Sequence, residues 1–167
     1  MTEAQHETSP ELRIRSAARA LVVDDHGRVL LVRFAFPGDR IVWATVGGGL
    51  EPGETHEAAI RRELEEEVGL EDVDLGPEIW TRTHVWDGGV NWDGQAERYF
   101  LVRTPPFEPV PGHTWEQLNA EWVTDIRWWT IEEIEASNEV FAPSRLAALV
   151  RELLRDGPPP ETVDVGV

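Results

Sequence analysis

The chain has 167 residues and a formal net charge of −17, because 32 acidic residues outnumber 15 basic ones. All the basic residues are arginine, and there is no cysteine. The sequence therefore excludes a Schiff-base or P-loop lysine, a thiol nucleophile, a disulfide framework and a cysteine zinc site. The acidic balance also argues against binding to nucleic-acid polymers or anionic membranes.

Both ends of the chain resemble tails around a single domain. Residues 1–11 are polar and acidic, unlike a signal peptide, and no apolar run is long enough to span a membrane. We expect a disordered N-terminal tail over 1–11, one domain over 12–156 and a disordered C-terminal tail over 157–167. These features predict a cytoplasmic protein.

The first half of the domain predicts three strands followed by one helix. Two β-rich runs, Ala17–Val23 and Val29–Phe34, flank a turn signal and predict a hairpin. A third strand, Ile41–Val46, precedes three glycines, which we expect to break it. Thr55 has the residue type of a helix N-cap and Gly69 that of a C-terminal cap, so a helix of about a dozen residues is predicted between them.

The second half predicts three more strands and a second helix. Strands are expected over Glu78–Trp86, Glu97–Arg103 and Glu121–Trp129, with a glycine- and aspartate-rich hairpin loop between the first two. From Leu146 to Leu154, aliphatic residues recur at the spacing of an amphipathic helix that packs on a sheet. The order of elements predicts a mixed β-sheet covered by helices, an α/β (α+β) domain.

Four glutamates are crowded into the first predicted helix. At about 100° per residue, Glu63, Glu66 and Glu67 share one side of an α-helix, whereas Glu65 points to water. Like charges at this spacing repel. One interpretation is a solvated acidic face. The other is a site for a hard divalent cation, which prefers carboxylate and carbonyl oxygens.

The segment from Gly48 to Leu70 resembles the Nudix box, G-x5-E-x7-R-E-U-x-E-E-x-G-U, where U is apolar. The departure from many relatives lies just before the glycines, where Val46 replaces a proline. The resemblance implies a Nudix-like α/β/α sandwich with a mixed β-sheet between helices. The matching residues are Gly48, Glu54, Arg62, Glu63, Leu64, Glu66, Glu67, Gly69 and Leu70.

The resemblance also implies a metal centre and a reaction. Glu63, Glu66 and Glu67 would bind Mg²⁺ or Mn²⁺, with the Gly47 carbonyl as a further ligand. Arg62 would hold a glutamate carboxylate in place by charge-assisted hydrogen bonds. The implied reaction is hydrolysis of a diphosphate linkage in a nucleoside diphosphate linked to another moiety X, in which metal ions neutralise charge that grows on the phosphate oxygens.

Three box residues are implied to be structural, namely Gly48, Glu54 and Gly69, with Glu54 bracing the loop against the helix. The general base varies in this family, and in some relatives it is a glutamate on a loop after the fifth strand. Glu108 and Glu116 lie in that region, and we favour Glu116. The alternative for either residue is a solvated loop acid.

Charged residues on predicted strands are candidates for substrate contact. Arginine is unusual on a strand unless it is paired or at a surface, and Arg33, Arg82 and Arg98 all lie on predicted strands. They are candidates to bind substrate phosphate, although an ordinary surface ion pair is the more common role of such an arginine. Glu97 begins a strand and is a further candidate to point into the site.

The tryptophan content bears on assembly. Eight tryptophans are more than a small core needs, and aromatic residues are enriched at interface centres. Trp128 and Trp129 point to opposite faces of the last predicted strand, because side chains alternate along a strand. This pattern favours a homodimer.

The leading hypothesis is therefore a Mg²⁺- or Mn²⁺-dependent Nudix pyrophosphohydrolase that acts on a small nucleotide or nucleotide derivative. The alternative is a Nudix-fold sensor that binds nucleotides or metabolites without turnover. Such sensors commonly lose box glutamates, and none is lost in this chain. The identity of the moiety X stays open.

Overall fold

A computed structural model describes residues 10–167. Residues 1–9 of the predicted N-terminal tail lie outside the described residues. No helix among the described residues is long and apolar enough to cross a membrane.

A mixed sheet of eight strands forms the centre of the domain. The strands follow the order β6-β2-β3-β1-β5-β4-β8, with β7 paired to β3. β1 and β5 are parallel partners along their whole lengths, so residues about 80 positions apart in sequence become neighbours. The strands are β1 Ile14–Asp24, β2 Val29–Phe36, β3 Arg40–Gly49, β4 Glu78–Val85, β5 Gly94–Thr104, β6 Val123–Trp129, β7 Phe141–Ala142 and β8 Val163–Asp164.

Helices cover both faces of this sheet. One core contains even-numbered residues of β1, such as Val22, together with Ile60 and Leu118. The other contains odd-numbered residues of β1, such as Leu21, together with Leu149. The predicted α/β/α sandwich is therefore confirmed. The helices are α1 His56–Glu63, which continues as a π-helical segment Leu64–Val68, then α2 Trp115–Ala120, α3 Ile131–Ala136 and α4 Leu146–Asp156.

The three glycines continue strand β3 rather than breaking it. Gly47, Gly48 and Gly49 pair with residues of β1. A Cβ on Gly47 would lie 2.1 Å from the Ala18 carbonyl oxygen, so only glycine allows the strands to approach this closely. The predicted break was wrong because these glycines allow close packing against neighbouring residues in space and do not form a turn.

The helix of the Nudix-like segment begins and ends where the sequence predicts, but it changes type midway. The Thr55 hydroxyl accepts the N–H of Ala58 at 3.1 Å, and Gly69 has a left-handed φ of 71°. Between them, α-helical geometry stops at Glu63 and π-helical geometry follows. Widened turns of this kind are frequent at functional sites. The assumption of a uniform 100° step therefore holds only as far as Glu63.

Two short helices were absent from the sequence-based expectation. α2 and α3 have six residues each, too few to show a clear apolar periodicity. Both nevertheless begin with a capping box, formed by Thr114 with Gln117 and by Thr130 with Glu133. A search for capping boxes in the sequence would have found them.

The predicted disorder of residues 157–167 was wrong. Val163 pairs with Trp80, and the N–H of Val165 donates to the Thr81 carbonyl oxygen at 2.9 Å. The Val165 side chain is only 7% exposed and belongs to the core between the sheet and α4, the one that contains Leu149, called the α4 core below. The tail is ordered because it covers the otherwise open edge of β4 and buries an aliphatic residue there.

Both tryptophans of the last long strand find partners within the chain. Trp129 packs edge-on against Trp43 and Phe141 in the α4 core. On the opposite face, Trp128 Nε1 donates to the Phe107 carbonyl oxygen at 2.8 Å. No second subunit is needed to cover either ring, and the homodimer stays a prediction.

Candidate active site

The glycine run brings backbone and carboxylates into close contact. The N–H of Gly47 donates to Glu67 Oε2 at 3.1 Å. A Cβ on Gly48 would lie only 2.5 Å from Glu63 Oε1, so the carboxylate occupies the space that a side chain would fill. The first two glycines therefore allow two box carboxylates to reach the end of strand β3.

Arg62 ties the loop before α1 to the glutamates. Its Nε and Nη2 donate to the two carboxylate oxygens of Glu54 at 2.8 Å and 2.9 Å. Its Nη1 donates to Glu63 at 2.9 Å and to Glu66 at 3.2 Å. The hydrogen bond from Arg62 holds the pKa of Glu54 below its usual range. Glu54 also accepts the N–H of Glu51, so the contacts of Glu54 connect the loop to the helix through Arg62.

Two box glutamates are buried close together. Glu67 is 2% exposed and Glu63 is 7% exposed. Burial and then repulsion from Glu63 raise the pKa of Glu67 well above its ordinary value, and the Gly47 hydrogen bond opposes this only in part. Burial also raises the pKa of Glu63, against the attraction of Arg62. This pair is costly to keep ionised unless a further cation is nearby.

A proline-rich loop closes the end of the π-helical segment. The N–H groups of Val110, Gly112 and His113 donate to the carbonyl oxygens of Val68, Glu65 and Glu66 at 3.2, 3.0 and 3.0 Å. These bonds pair the loop with carbonyl oxygens at the C-terminal end of the helix, where intrahelical partners run out, although the Glu65 carbonyl also accepts the N–H of Gly69 at 3.1 Å. The loop leads directly into α2, whose placement therefore depends on the box helix.

Helix α2 carries the predicted base, Glu116, in its first turn and is followed by a second glutamate, Glu121. Glu116 lies in the first turn of α2 and is exposed, with no hydrogen bond to its side chain among the described residues. Glu121 lies at the other end of α2 and is close enough to Glu67 to add to the repulsion that raises the pKa of Glu67. The role of Glu116 as general base stays a prediction.

A buried ion network lies on β1, β4 and β5. Glu97 accepts from Arg19 Nε at 2.9 Å, Arg82 Nη1 at 2.8 Å, Tyr99 OH at 2.8 Å and Gln95 Nε2 at 2.8 Å. Although burial opposes ionisation, Arg19 and Arg82 lower the pKa of Glu97 to about 2. This network holds Glu97 as a carboxylate inside the domain.

Arg19 connects this network to the glycine run. Its Nη1 donates to the Gly47 carbonyl oxygen at 2.7 Å and to the Thr45 carbonyl oxygen at 3.3 Å. The parallel pairing of β1 with β5 places Arg19 beside Glu97. Arg19 was not among the arginines predicted to bind substrate, although it lies on a predicted strand as Arg33 and Arg82 do.

The other two arginines predicted to bind substrate lie apart from this network. Arg98 Nε donates to Glu78 at 2.9 Å, and Arg98 Nη1 lies 3.2 Å from His56 Nδ1 at the start of α1. Arg33 Nη1 donates to the Thr124 hydroxyl at 2.9 Å, across the β2–β6 pair. Their contact with substrate stays a prediction.

The donor atoms at the glycine run suit a hard divalent cation. Within residues 10–167, no three acidic or histidine side chains surround a common point as they stand, because Glu63 and Glu66 turn toward Arg62. The buried pair Glu63 and Glu67 nevertheless offers carboxylate oxygens that repel one another, which is the chemistry that Mg²⁺ and Mn²⁺ complement. The Gly47 carbonyl oxygen has a second lone pair besides the one that accepts from Arg19.

Comparison with known proteins identifies the family. A model of the NUDIX domain matches residues 13–154. The chain belongs to the Nudix family. The nucleoside triphosphatase NudI of Enterobacter sp. (strain 638) is 33% identical over 125 residues, which cover 68% of this chain and 80% of that protein. NudI of Escherichia coli O17:K52:H18 is 31% identical over 128 residues, covering 74% of this chain and 86% of that protein.

Solved Nudix structures share the fold at lower identity. The NUDIX domain of Shewanella oneidensis NrtR in complex with ADP ribose superposes with a TM-score of 0.65 at 18% identity, covering 92% of this chain and 99% of that one. The MutT protein of Methanosarcina mazei Go1 gives a TM-score of 0.64 at 16% identity, covering 89% and 98%. Membership of this family, together with relatives that are enzymes, identifies the chain as an enzyme, a Nudix pyrophosphohydrolase.

Proposed function

We propose that this Nudix enzyme hydrolyses a diphosphate linkage with Mg²⁺ or Mn²⁺ bound at the glycine run, and that nucleoside triphosphates are its first candidate substrates. The observation that carries the proposal is the buried carboxylate of Glu67, which lies beside Glu63 without an ion-pair partner among the described residues. The triphosphates are chosen because two relatives that match most of the chain are named nucleoside triphosphatases.

Each part of the site has a distinct role in this proposal. Glu63, Glu66 and Glu67 would hold the cation with the Gly47 carbonyl, and the hydrogen bonds from Arg62 orient Glu63 and Glu66. When bound, the metal lowers the pKa of water and neutralises charge on the phosphate oxygens.

We place the general base at the end of α2 rather than at its start. The charge of Glu121 contributes to the raised pKa of Glu67, and this effect is the reason for testing Glu121 as the base. The first requirement for a general base is proximity to the proton that it removes. Glu116 remains the alternative, and the two glutamates on one short helix provide a matched pair for testing.

A panel of nucleoside triphosphates, nucleoside diphosphates, sugar nucleotides and ADP-ribose, with and without Mg²⁺, tests the reaction. Separation of the products by mass identifies the bond that is cut. We expect turnover with metal and none after chelation. Silence across the panel with both metals would overturn the proposal.

Two substitutions test the site itself. Glu67→Gln is expected to lower kcat by about 100-fold or more, as for loss of a group that stabilises the transition state. Glu121→Gln is expected to lower kcat by about 100-fold, the lower range for a general base, whereas Glu116→Gln leaves it within about twofold. The reverse order of the last two variants would restore Glu116 as the base.

The sensor alternative is not favoured, because every box glutamate is present and the relatives that match most of the chain are named as enzymes. Tight nucleotide binding without any release of product would reinstate it. A cytoplasmic location and a homodimer stay predictions, and light scattering decides the second of them.

A further inference from the structure

Arg15 is a partly buried cation without a carboxylate partner. Its Nε donates to Gln95 Oε1 at 3.0 Å, and its Nη2 donates to the same oxygen. A neutral amide oxygen is thus the partner of this guanidinium within residues 10–167, whereas Arg19 and Arg82 both pair with Glu97. The contrast is unexpected in a chain with 32 acidic residues.

The Arg15 guanidinium lies over the third glycine of the run. A Cβ on Gly49 would be 2.7 Å from Arg15 Cζ, so the arginine occupies the space that a side chain would fill. Glu63 and Glu121 are close enough to act on its charge. Arg15 therefore lies where the box helix, the glycine run and the end of α2 meet.

Gln95 fixes the orientation of Arg15. The amide nitrogen of Gln95 donates to Glu97 Oε1 at 2.8 Å, so its oxygen must face the opposite way, toward Arg15. Glu97 is in turn held by Arg19 and Arg82. Gln95 is thus a positioning residue, and Arg15 Nη1 has no hydrogen-bond partner among the described residues.

The electrostatic environment of Arg15 calls for an anion. Burial and the neighbouring charge of Arg19 lower the pKa of Arg15, and the more distant carboxylates compensate only in part. A partly desolvated guanidinium is stabilised most by a group that accepts two charge-assisted hydrogen bonds, such as phosphate. The carboxylates of this site by themselves would repel a phosphate. Arg15 adds a positive charge that attracts the phosphate, as the proposed metal ion would.

We propose that Arg15 binds a non-bridging oxygen of a substrate phosphate that lies beyond the metal-bound diphosphate, and so selects nucleoside triphosphates over nucleoside diphosphates. This inference rests on the proposed function. It assigns a substrate contact to β1, a strand outside the Nudix box.

Steady-state kinetics with Arg15→Gln test the contact. Loss of a charge-assisted hydrogen bond is expected to raise KM for a nucleoside triphosphate by roughly 10- to 100-fold, with kcat changed by less than about threefold. The affinity of the matching nucleoside diphosphate, measured as substrate or as competitive inhibitor, is expected to change by less than about threefold. Arg15→Lys keeps the charge and is expected to recover part of the loss.

The matched control is Arg103→Gln, an exposed arginine at the other end of β5. It is expected to leave both affinities unchanged. An unchanged KM in Arg15→Gln, or equal weakening of triphosphate and diphosphate, would overturn the assignment. Gln95→Met removes the side chain that orients Arg15 but keeps Arg15 itself, and it is expected to raise the triphosphate KM by a smaller factor. This variant tests the assignment if Arg15→Gln does not fold.

Binding separates this inference from the proposed reaction. Calorimetry with a non-hydrolysable nucleoside triphosphate and Mn²⁺ measures affinity in the absence of turnover. Weaker binding to Arg15→Gln than to the wild-type chain would support the Arg15 contact even if no hydrolysis were found. Equal binding would reject the contact, whether or not the wild-type enzyme turns over triphosphates.

Discussion

Two glutamates in this domain are almost equally buried, but their pKa values are shifted in opposite directions. Glu97 is 3% exposed and Glu67 is 2% exposed. Glu97 accepts hydrogen bonds from four side chains, two of them arginines, and its pKa falls to about 2. Glu67 accepts one backbone N–H and faces Glu63, and its pKa rises well above the ordinary value.

The comparison separates a structural charge from a functional one. Both carboxylates lose hydration, so burial by itself raises the pKa of each, and the partners decide the direction of the final shift. Glu97 itself has its hydrogen-bond and charge partners within the described residues, although the Nε of Arg82 has none there. Among residues 10–167 Glu67 has no ion-pair partner, and the nearby charge of Arg19 offsets its burial and its repulsion from Glu63 only in part; our proposal supplies the missing cation as the bound metal.

The largest expected effect follows from breaking the complete network. Glu97→Gln leaves Arg19 and Arg82 buried without a counter-charge, which typically costs about 3–5 kcal/mol of unfolding free energy. Urea denaturation measures this loss. Glu78→Gln is the matched control, because Glu78 pairs with the more exposed Arg98 and such pairs contribute about 0–1 kcal/mol. Equal losses in the two variants would show that the Glu97 network is no stronger than a surface pair.

Acid sharpens the same contrast. The folded pKa of Glu97 is about 2 against an ordinary 4.5, so its stabilisation is complete above pH 4.5 and is lost as the pH falls through 2. The full shift corresponds to about 3 kcal/mol. The stability advantage of the wild-type chain over Glu97→Gln is expected to shrink by about 2 kcal/mol between pH 5.5 and pH 3. A constant advantage over this interval would contradict the pKa assigned to Glu97.

Metal binding is expected to stabilise the incomplete site. Mn²⁺ at about a hundredfold excess over its dissociation constant raises the unfolding free energy by about 2.7 kcal/mol if it binds only the folded chain. Mg²⁺ is expected to give less without nucleotide, since it retains waters and needs substrate phosphates. Thermal melts with and without metal measure the effect. The shift should disappear in Glu67→Gln and persist in Glu116→Gln.

The smallest effect is expected from Glu67→Gln without metal. Removing this charge relieves repulsion with Glu63, so unfolding free energy should be unchanged or higher by a few tenths of a kcal/mol. This is the opposite of the result expected for Glu97→Gln, although both variants replace a buried glutamate with glutamine. A loss of several kcal/mol in metal-free buffer would mean that Glu67 already has a compensating partner.

The Nudix-like segment was predictable because its signals are local. The N-cap Thr55, the left-handed Gly69 and the spacing of the glutamates all lie within 15 consecutive residues. The two long strands at the start of the domain were predictable for the same reason, but their pairing as a hairpin was wrong beyond the turn, because they pair only at Val23 and Val29 and β3 lies between them in the sheet. The course of β3 was not, because its glycines are explained by Ala18, Glu63 and Arg15, which are distant in sequence.

The residues around the box show the same limit. Glu121 was overlooked because a short helix, unseen in the sequence, carries it toward Glu67. The C-terminal strand β8 was overlooked because a strand of two residues has no recognisable sequence pattern. These residues form a strand because they pair with the edge of β4. In each case the deciding partner is contributed by another part of the fold.

The family, the mixed sheet between helices, and the glutamates, glycines and arginine of the box could all be inferred from the sequence, since these depend on contiguous pattern and composition. The tertiary structure alone decided which buried glutamate is satisfied and which arginine is left without a carboxylate. Parallel pairing of β1 with β5 sets Arg19 against Glu97 and Arg15 against Gln95, across about 80 residues of chain. Charge compensation in a protein interior acts over a few ångströms, so it depends on spatial neighbours that sequence distance does not reveal.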